Sequence, residues 1–397
     1  MNFKDFTILC KRKLDEYYKG VETEIAKGNI YYDGGKIDYV YYPTTMLCVE
    51  SEGEMFSVEL LGLTKVRTPL KIKKRSNISV RELTFIDRKN DAGEAMFKVS
   101  SKAIFSGLMF CDKDSSAFHD SQGNFFSKRF KTRIQIAGQV THLIGFNDDT
   151  ASCLVSECMV SYVSNNFYRL RYIHQLMIFN AKLNESDIDS DMNYFLTNDE
   201  SQTFGVHYFP GELDLSWVKA SYLMNLVLND KIHETTIGDY LNDHSDIILK
   251  ALGYKNIVYE PSLEWIEKTP DNPDVYINPD ALLQRRDDFY DICDFKKALA
   301  KRKSLTKAER RRRRFVDDVN EGLAQLDNYE EYFTFALNAK HALDRFNVKV
   351  ASPNKILIIG SIENAKQDEI EQSLRGRVNT LVVDYDSLVS SYIGVIK

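Results

Sequence analysis

Two aspartates and a lysine, Asp280, Asp294 and Lys296, are of types and at spacings that could act on one substrate together. The stretch "NPDALLQRRDDFYDICDFKKALAKRK" places Asp280 behind a proline, Asp294-Phe295-Lys296 further on, and a basic run after both. If "ALLQRR" and "FYDICDF" pair as two strands turned at "DD", the start of one lies opposite the end of the other and the gap in sequence closes. Asp294 and Lys296 are two apart on such a strand and share a face, while Phe295 points the other way.

That set suits phosphodiester hydrolysis with Mg²⁺, a hard cation that takes one or two carboxylates plus water and a phosphate oxygen. Mn²⁺ is the alternate cofactor. Asp280 and Asp294 would hold the ion, the Phe295 carbonyl would add a ligand, and Lys296 would orient a water or steady the developing charge. Glu234 in "HETTIGDYLNDH" offers a third carboxylate. Gln325 and Tyr329 in "QLDNYEEYF" stand one helical turn apart and can face the same site. A triplet alone is more often the decoration of a solvated hairpin, and Asp87-Arg88-Lys89 after the apolar "LTFI" carries a similar pattern.

The elements that must position these residues differ between the two halves. Up to about residue 205 the chain alternates in short bursts such as "KIDYVYYPTTMLCVES", "EMFSVELLGL" and "RIQIAGQVTHLIGF", which predicts a mostly β domain. Near "FGVHYFPGELDLSWVKASYLMNLVLND" the period turns helical. The remainder reads as helix over "TTIGDYLNDHSDIILKALG", extended "NIVYEP", a hairpin, one helix from Lys307 to Leu343, and a final α/β stretch from "KILIIGS" onward. The expectation is an α+β chain, with residues 1–205 mostly β and residues 206–397 α/β.

Glutamate on a first helix, Pro-Asp and Asp-x-Lys on a hairpin, and Gln-x-x-x-Tyr on a following helix together resemble the PD-(D/E)XK nuclease core. "HETTIGDYLNDH", "NPDALLQRRDDFYDICDFKKA", "GLAQLDNYEEYF" and the tail from "IIG" to "VVDYDSLV" are similar to Shedu, the single-protein anti-phage nucleases of bacteria. The resemblance covers about residues 230 to 390. It implies a restriction-endonuclease-like domain over 206–397 and metal-dependent cleavage of double-stranded phage DNA. It also implies a homo-oligomer, a tetramer, and a regulatory or sensing N-terminal domain. The chain departs from the commoner pattern in using Asp294 rather than glutamate, and in the long insertion "KKALAKRKSLTKAERRRRR" ahead of Gln325.

Other features narrow the reading. A formal charge of -6 and a pI near 5.8 give no global cationic field, so contact with DNA must be local. The densest positive patch is Lys297 with Arg310, Arg311, Arg312, Arg313 and Arg314; it either meets phosphates or is a solvated face satisfied by the acidic "VDDVNE". Six scattered cysteines with no metal spacing fit a reduced cytoplasm, and neither a signal peptide nor a membrane span is apparent. No phosphate-binding loop occurs. His233 and His244 flank the first helix, where histidines more often cap or pack. Two alternatives stay open: a DNA- or partner-binding protein with an inactive nuclease-like core, and a sequence-specific restriction enzyme.

Overall fold

A computed structural model describes every residue except 33, 52–54, 77–93, 112, 122, 137–139, 165–166, 198–202, 210, 230–231, 271, 310–311 and 396–397. Asp87-Arg88-Lys89 lies outside the described residues. The chain divides into two compact units, Met1–Asn225 and Leu226–Lys397. The division falls inside the helix Glu212–Val227, whereas the change of sequence period sits near 205. Among the described residues no helix is long and apolar enough to cross a membrane.

The first unit begins with a helix, Phe3–Lys27, that the β reading of this half does not include. Its local code is complete: Asn2 accepts the Asp5 amide at 2.9 Å, and Gly28 ends it in the left-handed region at φ 71°. Phe6, Leu9, Cys10, Leu14, Tyr18 and Val21 recur at helical spacing and are buried. Each large side chain buried on that stripe contributes on the order of 2 kcal/mol. The stripe packs on an eight-stranded sheet whose centre is the long antiparallel pair Ser152–Ser164 and Phe167–Asn180. Alternation sorts that pair: Leu154, Met177 and Phe179 join the core under the helix, and Cys153, Val155, Leu176 and Ile178 join a second core.

The second unit is built on a five-stranded mixed sheet in the order Asn256–Tyr259, Ala281–Gln284, Tyr290–Phe295, Lys355–Ile358, Thr380–Val383. The first three strands are antiparallel, and the last two run parallel to Tyr290–Phe295. All six residues of Tyr290–Phe295 are buried, as befits a central strand covered on both faces. The helix Asp317–Thr334 lies close against this sheet because Gly322 lets it: a Cβ there would meet Leu357 Cδ1 at 2.8 Å.

Two helix expectations are corrected. The predicted helix over 235–253 is two, Glu234–Asp243 and Asp246–Leu252. The single helix expected from Lys307 to Leu343 is instead a strand pair, Thr306–Glu309 with Arg312–Phe315, followed by helices Asp317–Thr334 and Ala336–Phe346. Consecutive arginines on a helix would crowd like charges at i,i+3 and i,i+4, whereas a strand sends neighbours to opposite faces. Asp317 and Asp318 then sit in the first turn, where acidic groups complement the helix N-terminus. At Phe335 the backbone is extended, φ -87° and ψ 128°, which breaks the run.

Candidate active site

Strand pairing creates the site. The register Ala281↔Cys293 and Leu282↔Ile292 sets the position of Asp280, just before its strand, opposite Asp294. Asp280 is fixed there by the Phe295 amide, which donates to its Oδ2 at 2.6 Å. Asp294 is 1% exposed, and its Oδ2 lies 2.7 Å from Lys296 Nζ. Lys296 also reaches Glu234 Oε1 at 3.3 Å, so one ammonium spans the hairpin and the first residue of the helix Glu234–Asp243. Behind it, Tyr385 donates to the Lys296 carbonyl at 2.7 Å and anchors the strand end.

A cavity of about 240 Å³ opens on this cluster, lined in part by Glu234, Lys296, Lys297 and Gln325. Gln325 therefore joins the cluster from the helix Asp317–Thr334, and its buried Oε1 has no hydrogen-bond partner among the described residues. Asp318 and Glu321 line the same cavity and were not singled out in the sequence. The signal was present: 318, 321 and 325 lie at helical spacing on one face. Tyr329, one turn on, donates to the Asn278 carbonyl at 3.3 Å and so ties the helix to the segment leading into Asp280.

The electrostatics follow from burial and crowding. Burial, and then the Asp294 carboxylate, push the Asp280 carboxyl up to about 8. Burial likewise raises Asp294, against the opposing pull of Lys296. Burial works against the Lys296 charge, but Asp294, Glu234 and Asp280 outweigh it, and the lysine is held above its ordinary value. Burial and the nearby Asp294 and Asp280 also raise Tyr329. Three carboxyl groups thus crowd one ammonium, with Asp280 retaining its proton at neutral pH, and a divalent cation would take that proton's place. The donors are carboxylate oxygens, the set a hard cation such as Mg²⁺ prefers, and the residues present fit that ion.

The arginine run sits differently from the cluster. Arg310 and Arg311 lie outside the described residues, and the side chain of Arg312 is not described. Arg313 is turned inward: it pairs with Glu369 Oε2 at 2.7 Å and donates to Thr306 Oγ1 at 3.0 Å. Lys307 pairs with Asp317 at 3.3 Å and Arg302 pairs with Asp318, so part of the positive charge is satisfied within the unit. Arg314 is exposed, and Lys297 lines the cavity. His244 is buried with its ring 4.5 Å from that of Tyr240, and His233 is the N-cap residue of the helix that Glu234 opens, with no side-chain cap bond.

A mixed α/β chain with a buried carboxylate and lysine cluster at a strand hairpin is the class of protein the structure defines. Residues 175–389 match a family model described as "Shedu protein SduA, C-terminal". The match takes in more than half of the chain, which belongs to the Shedu family. It begins at 175, ahead of the 230 to 390 stretch that carries the resemblance in the sequence. No curated protein matches the chain.

Proposed function

We propose that this Shedu-family chain serves bacterial defence against phage as a metal-dependent DNA endonuclease, with a PD-(D/E)XK-type site at Asp280, Asp294 and Lys296. The observation that carries the reading is the convergence of Asp280, Lys296 and Glu234 on the buried Asp294 beside a cavity. Asp280 and Asp294 would hold the cation, with Glu234 and the Phe295 carbonyl as the further oxygen donors. A bound Mg²⁺ or Mn²⁺ supplies Lewis-acid polarisation of the phosphate and neutralises developing charge.

The protein's own groups divide the remaining work. Without metal, and against the effect of burial, Asp294, Glu234 and Asp280 hold the Lys296 ammonium above its ordinary pKa. It is placed to act as a donor that orients the attacking water and steadies the phosphate oxygens. Gln325 offers its amide oxygen, without a partner among the described residues, to a water in the cavity. Glu234 holds Lys296 in place through their ion pair. At about 240 Å³ the cavity suits a phosphate group and its waters rather than a whole nucleotide. Lys297 and Arg314 would meet flanking phosphates without reading bases. Double-stranded phage DNA is the proposed substrate and a homotetramer the proposed assembly, which sedimentation of the purified chain checks.

The test is conversion of supercoiled plasmid to nicked or linear DNA by purified protein. Cleavage with Mg²⁺ that stops with a chelator, and that Lys296→Ala loses at equal folded concentration, supports the reading. Binding of DNA with no cleavage under any divalent cation would favour an inactive core instead.

A further inference from the structure

The first unit contains a second convergence of ligating groups, remote in kind from the first. Glu157, His174 and His207 each present one donor atom, and the three atoms lie within 4.8 Å of one another. We propose that they form a binding site for a divalent transition metal, Zn²⁺ by the chemistry of the donors, with its remaining coordination position open to a cavity.

The long antiparallel pair places two of the ligands. Ser156 pairs with Gln175 and Cys158 with Ile173, so Glu157 and His174 stand opposite each other between those rungs, where the regular pairing is interrupted. Glu157 is in the left-handed region at φ 49°, a conformation that is strained for a residue with a side chain and persists only where its surroundings enforce it. Its Oε1 lies against His174 Nδ1. His207 comes from a separate segment, locked by a two-way backbone bridge to Tyr41 at 2.7 and 3.0 Å. The His174 and His207 rings stack with centroids 3.4 Å apart.

The site is unsatisfied as protein alone. His174 is 2% exposed, yet its Nε2 has no hydrogen-bond partner among the described residues. The buried Gln175 amide oxygen is likewise unpartnered. Orphaned buried polar atoms carry a desolvation penalty, which a bound cation with its water would remove. Both residues, with Glu157 and His207, line a cavity of about 560 Å³. Two imidazoles and one carboxylate leave an open fourth position on a tetrahedral ion, and such a donor set favours zinc over magnesium. Zinc bonds of about 2.0–2.2 Å require the donors to draw closer. The Glu157 side chain, 41% exposed, has room to make that movement.

The experiment titrates chelator-treated full-length protein with Co²⁺, a coloured stand-in for zinc. The proposal expects visible bands of four-coordinate Co²⁺ that saturate at one equivalent, are displaced by Zn²⁺ and are unaffected by excess Mg²⁺. Asp280→Asn should leave them unchanged. Glu157→Gln should weaken Co²⁺ binding at least 10-fold and His174→Gln should abolish it. The partly exposed Glu157 variant keeps the test sound if the buried histidine variant fails to fold. No band in the wild-type protein, or one that survives Glu157→Gln at full affinity, would overturn the proposal.

Discussion

The Asp280/Asp294 cluster and the Glu157/His174/His207 cluster use one backbone device with opposite side-chain chemistry. In each, two residues with side chains able to ligate a cation stand opposite across an antiparallel strand pair, so pairing brings together groups separated by a hairpin turn. The first set is all oxygen and holds its own ammonium, Lys296, against the acids. The second is two imidazoles with one carboxylate and no lysine among its ligands. Strand register therefore determines where donors meet, and side-chain type determines which cation suits them and whether a charged donor is left over for a phosphate.

The sharpest break of that comparison is at the oxygen cluster. Asp280→Ala, Asp294→Ala and Lys296→Ala should each reduce plasmid cleavage by roughly 10³-fold or more, with double variants little worse than single ones because the groups act as a unit. Glu157→Gln should cut DNA at the wild-type rate in Mg²⁺. If the losses instead fell on Glu157→Gln, the two sites would have exchanged roles.

Support from the helix should weigh less. Gln325→Ala should lower the rate roughly 10- to 100-fold, the range for loss of a group that orients a ligand or water. Glu321→Gln, on the same face, should chiefly raise the Mg²⁺ concentration for half-maximal rate. Equal rates for Gln325→Ala and wild type would remove the helix Asp317–Thr334 from the site.

How far the sequence revealed these sites depends on whether local pairing or distant contact built them. The hairpin was legible because its two strands are joined by a short turn, so a single register brings Asp280 opposite Asp294. Gln325 was legible from helical spacing to Tyr329 alone, although its helix begins later than expected. The strand pair at Thr306–Phe315 was not, because charged residues give no apolar period to read. Nor was the histidine cluster: His207 reaches His174 through a backbone bridge to Tyr41, a contact with no pattern in sequence. The first helix, Phe3–Lys27, had a full apolar stripe and both caps, and the alternating segments that follow it masked its weight.

The proton on Asp280 gives a thermodynamic measure of the oxygen cluster. Its native pKa of about 8 stands above the ordinary 3.8, so between those values the folded chain holds a proton that the unfolded chain has released. Without metal, stability should therefore fall as pH rises through that window and level off above about 8. Mg²⁺, by replacing the proton, should raise the melting temperature most at the alkaline end. Asp280→Asn should flatten the metal-free slope. Melting curves at several pH values check this, and a slope unchanged by the substitution would place the titrating group elsewhere.

The arginine run should give the smallest effect. Replacing Arg310, Arg311, Arg312 and Arg314 with serine should weaken DNA binding about equally on all sequences and flatten the slope of log affinity against log salt by about 0.9 for each phosphate no longer neutralised. Arg313→Ser should act mainly on stability, because that side chain pairs with Glu369. A salt slope altered by Arg313→Ser alone would reverse this division.

The most direct measurement of the central claim is supercoiled plasmid incubated with purified wild-type protein and with Asp294→Asn, each with and without Mg²⁺. Nicked or linear product from the wild type in Mg²⁺ only, and none from Asp294→Asn although it binds the same DNA, is the predicted result. Equal cleavage by the two proteins, or cleavage that persists in excess chelator, would contradict the assignment of this cluster as a metal-dependent active site.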